Sequence, residues 1–188
     1  MAPSVAPESM LSHLQKRKFI KLFTIYDFDN SGYLALEDFE QFVQNLAAAG
    51  HLRPHDGPYN ALLKQYAYRW THLKGDRDRA GQVDLHGWLT YRDHVLQDER
   101  KYHQEIDPII RLLFDGFDRD RTGHLSQAQW RDLAWSLRCH SIYAREVFQA
   151  LDQDNDGKLS QEEFAIAFQS FYHSDRPDDP INHLFGPI

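Results

Sequence analysis

The sequence has one cysteine, Cys139, in 188 residues. An internal disulfide is therefore impossible, a stapled secreted scaffold is excluded, and a reducing compartment suits the chain. Methionine is nearly as scarce. Met1 and Met10 both precede the first helical pattern, so an adaptable methionine groove for target helices is missing. No run approaches the ~18 apolar residues of a membrane span. Met1 to Leu11 has neither a basic start nor an apolar core, and no signal peptide is expected. Positive charge is in deficit: 21 Lys and Arg face 28 Asp and Glu, giving a net charge of −7. That balance argues against nucleic acid or an anionic membrane as partner. The 11 histidines show no H-E-x-x-H or similar zinc spacing. Cys139 and His140 are sequence neighbours, which on a helix do not face each other, so no Cys–His dyad is expected. With 41% hydrophobic and 13% aromatic residues, a globular, cytoplasmic monomer without enzymatic machinery is the expectation.

What is present is acid, and it is patterned. Asp152-Gln153-Asp154-Asn155-Asp156-Gly157-Lys158-Leu159-Ser160-Gln161-Glu162-Glu163 matches D-x-[DN]-x-[DN]-G-x5-E, the twelve-residue calcium loop of the EF-hand, without a departure. Asp152, Asp154 and Asp156 offer carboxylates at positions 1, 3 and 5, and Lys158 its backbone carbonyl at 7. Ser160 at position 9 acts directly or through a water, and Glu163 closes the sphere with both oxygens. Gly157 permits the sharp turn at position 6. Such a hard oxygen cage suits Ca²⁺ rather than Zn²⁺ or Cu²⁺.

The unit recurs. Aligned on Gly32, Gly81, Gly123 and Gly157, four loops each carry an aliphatic residue at position 8 (Leu34, Val83, Leu125, Leu159) and an aromatic just after the loop (Phe39, Trp88, Trp130, Phe164). Position 8 is where two loops exchange backbone hydrogen bonds, and a lone loop leaves that edge unpaired. Apolar residues at helical spacing flank every loop. The expected fold is all-α: four EF-hand units, eight helices and short loop-pairing strands, in two lobes. Residues 12–97 form the first pair, 107–172 the second, and 173–188 a C-terminal tail. The charged segment Gln97 to Asp107 reads as the boundary, with Asp107-Pro108 as an N-cap and first-turn proline.

Ligand count separates the loops. Loop one, Asp27 to Asp38, has Asp27, Asp29, Ser31 at position 5, the Tyr33 carbonyl at 7 and Asp38 at 12. Asp38 is one methylene shorter than the usual Glu, which favours six ligands and admits Mg²⁺ beside Ca²⁺. Loop three, Asp118 to Gln129, closes on a neutral amide, so pairing with loop four is its favoured role. Loop two, Asp76 to Gly87, has Ala80 at 5 and Gly87 at 12 and is expected to be empty. Two Ca²⁺ are expected per chain, in loops one and four.

This set of loops resembles the sarcoplasmic calcium-binding proteins and their bacterial relative calerythrin. The stretch Phe171-Tyr172-His173-Ser174-Asp175-Arg176-Pro177-Asp178-Asp179-Pro180, followed by Asn182 and Leu184-Phe185-Gly186, is similar to that family's C-terminal signature. The resemblance implies packed lobes and an intracellular Ca²⁺/Mg²⁺ buffer. In many relatives loop three also binds Ca²⁺, from which Gln129 departs. Two alternatives stay open: a calcium sensor for a protein target, and a carrier of an apolar small molecule, as in luciferin-binding proteins. A carrier's cavity would draw on Trp70, Trp88, Trp130 and Trp135, although helix-spaced aromatics are usually plain core.

Overall fold

A computed structural model of the chain describes residues 9–73 and 81–188. The first helix, α1 (His13–Tyr26), starts where the sequence places a capping box. The Ser12 hydroxyl accepts from the Gln15 N–H at 3.1 Å, and the Gln15 side chain accepts from the Ser12 N–H at 2.9 Å. Its inward face carries Phe19, Leu22, Phe23 and Tyr26. Then follow β1 (Tyr33–Leu34), α2 (Leu36–Gly50), α3 (Gly57–Leu73), β2 (Val83–Asp84) and α4 (Leu85–Gln97).

The charged boundary is itself helical: α5 spans Glu99–Glu105 and runs almost without a break into α6 (Asp107–Phe117). The Ile110 N–H bonds to the Ile106 carbonyl at 3.0 Å, so Ile106 rather than Asp107 is the cap residue. Asp107 instead accepts from His103 at 2.7 Å across one turn. The second half continues with β3 (His124–Ser126), α7 (Gln127–Ser136), α8 (Ser141–Leu151), β4 (Lys158–Ser160) and α9 (Gln161–His173). Among the described residues, and apart from the boundary helix, eight helices flank the loops.

The strands pair as position 8 demands. β1 and β2 are antiparallel with Leu34 opposite Val83, and β3 and β4 with Leu125 opposite Leu159. All four side chains are fully buried. The tryptophans that follow loops two and three tie each pair together. The Trp88 indole donates to the Phe19 carbonyl of α1 at 2.8 Å, and the Trp130 indole to the Ala144 carbonyl of α8 at 2.7 Å. Around Tyr26 stand Phe39, Phe42, Tyr66 and Trp88, with ring centroids 4.9–6.1 Å away; such pairs add about 0.5–1.5 kcal/mol each beyond burial.

The lobes pack on each other through α2 against α7 and α3 against α6. Gly50 ends α2 so close to α6 that a Cβ there would lie 3.0 Å from the Gly116 carbonyl. Three buried cations reinforce the join, which the apolar stripes do not announce: Lys18, Arg69 and Arg92. The Arg92 guanidinium lies 4.5 Å over Trp88 and 5.2 Å over Tyr172, and donates to the Tyr172 hydroxyl at 3.2 Å, so α4 grips α9. Lys18 donates to the Ser174 carbonyl at 2.7 Å.

The tail folds back as a short 3-10 helix, Pro180–His183, against α8 and α9. Phe185 packs on Phe168 and Phe171, and the Asn182 amide donates to the carbonyls of Arg176 and Pro177. Cys139, between α7 and α8, is buried with its sulfur 3.6 Å from the His183 carbonyl. Among the described residues no helix is long and apolar enough to cross a membrane.

Candidate metal centres

Loops one, three and four each begin where a helix runs out. In loop four the Asp152 carboxylate caps the turn, accepting from the N–H of Asp156 at 3.0 Å and of Gly157 at 3.0 Å. Asn155 and Gly157 both take positive φ, 60° and 80°, which lets successive N–H groups turn outward to Asp152. Asp154 accepts from the Asp156 N–H at 3.1 Å. One carboxylate oxygen from each of Asp152, Asp154 and Asp156 lies within 4.8 Å of the others.

Glu163 stands outside that trio. One of its oxygens accepts from the Ser160 N–H and hydroxyl, both at 2.8 Å, and the other from the Gln153 N–H at 3.0 Å. Partial burial works against its charge, but these bonds outweigh it and hold the carboxyl below its ordinary pKa. Lys158 lies in β4 opposite Ser126, its N–H bonded to Asp156 at 2.8 Å.

Loop one repeats the frame with shorter arms. Asp27 accepts from the N–H of Ser31 at 2.9 Å and of Gly32 at 3.0 Å, and Asp29 from the Ser31 N–H at 3.0 Å. The Ser31 hydroxyl donates to the Tyr33 carbonyl at 3.1 Å, so the position 5 and 7 oxygens are neighbours. Here the closing residue joins the cluster: Asp27, Asp29 and Asp38 offer oxygens within 4.8 Å of one another. Asp38 also accepts from the Ala35 N–H at 2.8 Å. Burial, aided by the charges of Asp29 and Asp27, pushes the Asp38 carboxyl above its ordinary pKa despite that bond. A dication would relieve this crowding, so the donor set fits one.

Loop three keeps the scaffold. Asp118 accepts from the N–H of Thr122 at 3.0 Å and of Gly123 at 2.8 Å. Gln129, however, spans the mouth: its oxygen accepts from the Ser126 N–H and its amide nitrogen donates to Asp120 at 2.9 Å. That bond leads the causes that hold Asp120 below its ordinary pKa. In loop two, Asp76, Asp78 and Ala80 lie outside the described residues. Its position 9, Asp84, caps α4 by accepting from the Gly87 N–H at 2.8 Å, so position 12 supplies a donor rather than an oxygen.

An EF hand domain model matches residues 143–171, and a model of an EF-hand domain pair matches residues 8–46. Two separate stretches of the chain, one in each half, thus match EF-hand models. Relatives with EF-hands match along most of the chain. Identity is 28% over 162 residues with EF-hand calcium-binding domain-containing protein 11 of Mus musculus, covering 81% of this chain and 85% of that one. Calerythrin of Saccharopolyspora erythraea is 20% identical over 167 residues, covering 87% of this chain and 94% of calerythrin. Calcium-dependent protein kinase 11 of Oryza sativa subsp. japonica is 25% identical over 169 residues, yet these are 90% of this chain and 26% of the kinase. This chain thus spans about a quarter of that relative.

Among solved structures, okadaic acid binding protein 2.1 superposes with a TM-score of 0.77 at 16% identity, covering 94% of this chain and 96% of that one. The sarcoplasmic calcium-binding protein of amphioxus gives 0.70 at 16%, covering 95% and 99%. The fold, with its lobes in contact as the resemblance implies, is therefore shared with the sarcoplasmic calcium-binding proteins.

Trp135 departs from the reading of the tryptophans. Trp70, Trp88 and Trp130 are buried core, whereas Trp135 is 76% exposed. The α7 stripe is Trp130, Leu133 and Ala134, with Leu137 beyond it. Five residues past Trp130, or about 140° around the helix axis, Trp135 falls off that stripe. Its spacing therefore carried the signal.

Proposed function

We propose that this EF-hand protein is a Ca²⁺/Mg²⁺ buffer with two working sites. The reading is carried by the clustering of three carboxylates in loop one and three in loop four, each set within 4.8 Å. In loop four the residues that would hold the ion are Asp152, Asp154, Asp156, the Lys158 carbonyl and Glu163, whose oxygens now accept from Gln153 and Ser160. In loop one they are Asp27, Asp29, Ser31, the Tyr33 carbonyl and Asp38. Six ligands with a monodentate Asp38 suit Mg²⁺ as well as Ca²⁺, so loop one exchanges between them while loop four stays selective for Ca²⁺. Loops two and three act as pairing partners within units 12–97 and 107–172, and the tail, 173–188, holds the lobes closed. Two ions reduce the net charge of −7 to about −3.

Buffering rather than sensing is supported by the absence of methionine from the helices and by the Arg92–Tyr172 and Lys18–Ser174 links, which resist lobe opening. A carrier of an apolar molecule is the alternative. It draws on the likeness to okadaic acid binding protein 2.1, against a centre filled by Phe19, Tyr66, Trp88 and Arg92. Calorimetry on the metal-stripped protein is expected to give two Ca²⁺ per chain, with no rise in ANS fluorescence on saturation. Three tight sites would discard the assignment of loop three, and a large Ca²⁺-dependent ANS signal would discard the buffer.

A further inference from the structure

The exposed Trp135 stands in a groove that the ion sites do not explain. Three clefts of about 550, 350 and 660 Å³ share walls along the end of α2, the end of α7 and the first two turns of α8. Trp135, Ala48, Ala49 and Cys139 line both of the first two, and Arg131, Ser141 and Ala144 both of the last two. Phe28, 44% exposed, closes one end, and its ring lies 4.6 Å beneath the Arg138 guanidinium. From Ser141 to Gln149 the groove follows α8 for about 12 Å, matching roughly two turns of a bound helix.

Its charge is opposite to that of the molecule. On a chain of net charge −7, the walls carry Arg131, Arg138, Arg145, His51 and His140. The sole carboxylate among the lining residues is Asp132, which Arg119 already engages at 2.9 Å. Helix α8 adds to this sign. It opens at the groove with no side-chain cap from His140, so the positive end of its dipole faces an incoming acidic group.

We propose that this groove is a docking site for an acidic amphipathic helix of a partner protein. An apolar stripe at i, i+3/i+4 and i+7 would cover Trp135, Ala48 and Ala49, while flanking Glu or Asp meet Arg131 and Arg138. The surface lies on the outside of the lobes and is preformed, so it needs neither lobe opening nor methionine. Docking places the ion store beside a partner, and so goes beyond buffering.

The test uses the whole chain and N-acetylated peptides of about four helical turns. One has a Leu/Phe stripe on a Glu background, a second has Lys for every Glu, and a third is a scramble of the first. The Glu peptide is expected to bind and shift Trp135 emission to the blue, and the other two are not. Trp135→Ala and the exposed pair Arg131→Glu/Arg138→Glu should each weaken binding about tenfold or more, read by calorimetry. The double reversal should turn the preference toward the Lys peptide, while circular dichroism and Ca²⁺ stoichiometry stay unchanged. Failure of the Glu peptide to bind, or binding indifferent to Trp135 or to the sign of the peptide, overturns the proposal. So does a dimer in sedimentation that Trp135→Ala abolishes, which would give the groove to a second copy of this chain.

Discussion

Loops three and four differ at their closing residue by little more than one atom. Gln129 and Glu163 each cap the following helix in the same manner, accepting from a serine N–H at 2.7 and 2.8 Å and from its hydroxyl at 2.7 and 2.8 Å. Beyond that shared cap they diverge. The second oxygen of Glu163 accepts from the Gln153 backbone, whereas the amide nitrogen of Gln129 donates to Asp120. Turning an acceptor into a donor converts an open mouth into one held shut by its own hydrogen bond. The backbone turn, the position 1 aspartate and the left-handed glycine are the same in both. The shape of the loop is therefore shared by both, and what differs is the donor set: a carboxylate at position 5 in loop four (Asp156) against Thr122 in loop three, and an acceptor against a donor at the last atom.

Four experiments press on that contrast, in falling order of effect. Glu163→Gln should give loop four the closure of loop three, lowering its Ca²⁺ affinity on the order of a hundredfold or more and leaving one tight site by calorimetry. Retention of both sites would show that the closing charge is dispensable. Gln129→Glu is the mirror experiment: the Asp120 bond is lost, a third carboxylate enters, and stoichiometry should rise from two to three Ca²⁺. In the ion-free form the same variant sets the introduced carboxylate against Asp120, so melting should shift downward until Ca²⁺ is added.

The third change concerns loop one. Asp38→Glu lengthens the closing arm and should raise Ca²⁺ preference over Mg²⁺ by about tenfold, or ~1.4 kcal/mol. Titrations at millimolar Mg²⁺ check this: the wild type loses apparent affinity at one site and the variant does not. The smallest effect is in pH. Asp38 is held above the ordinary carboxyl range by burial, and Glu163 below it by its hydrogen bonds. In the ion-free fold the neutral form of Asp38 is stabilised relative to the unfolded chain, a contribution present at low pH and lost as pH rises through the folded pKa. An ion requires the charged form, so protons displace it from loop one at a higher pH than from loop four. Below the folded pKa of Asp38, affinity there falls by up to about tenfold per pH unit. Calcium titrations stepped downward in pH should release the two ions in that order; simultaneous release would remove the distinction.

The loops were legible because their chemistry is local. Twelve consecutive residues hold the turn, the clustered acids and the strand, and position 8 announces which edges must pair. Legibility stopped where the partner is distant. That Arg92 would sit among Phe19, Trp88 and Tyr172 follows from crossing helices, and a lone arginine on an apolar stripe gives no hint of it. The α5 segment was hidden by its charges, which on a seven-residue helix face outward except at Tyr102 and Glu105. The bond between Gln129 and Asp120 spans nine residues and needs the loop already folded. Trp135 was readable in principle, from its angle on α7.

Cys139 has a kinetic consequence. Burial pushes its thiol up to about 11, against the N–H of Gly186 and the charge of Lys21. At pH 8 roughly one thiol in a thousand is ionised, and the sulfur is closed in beneath the His183 carbonyl. A disulfide reagent therefore reacts slowly, and because the chemical step is slow its rate reports the population in which local opening exposes the sulfur. Because the tail links this junction to α1 through Lys18 and Ser174, labelling should slow on addition of Ca²⁺ if the proposed sites tighten the fold. The molecule thus carries a reporter of its own breathing in a residue outside all four loops.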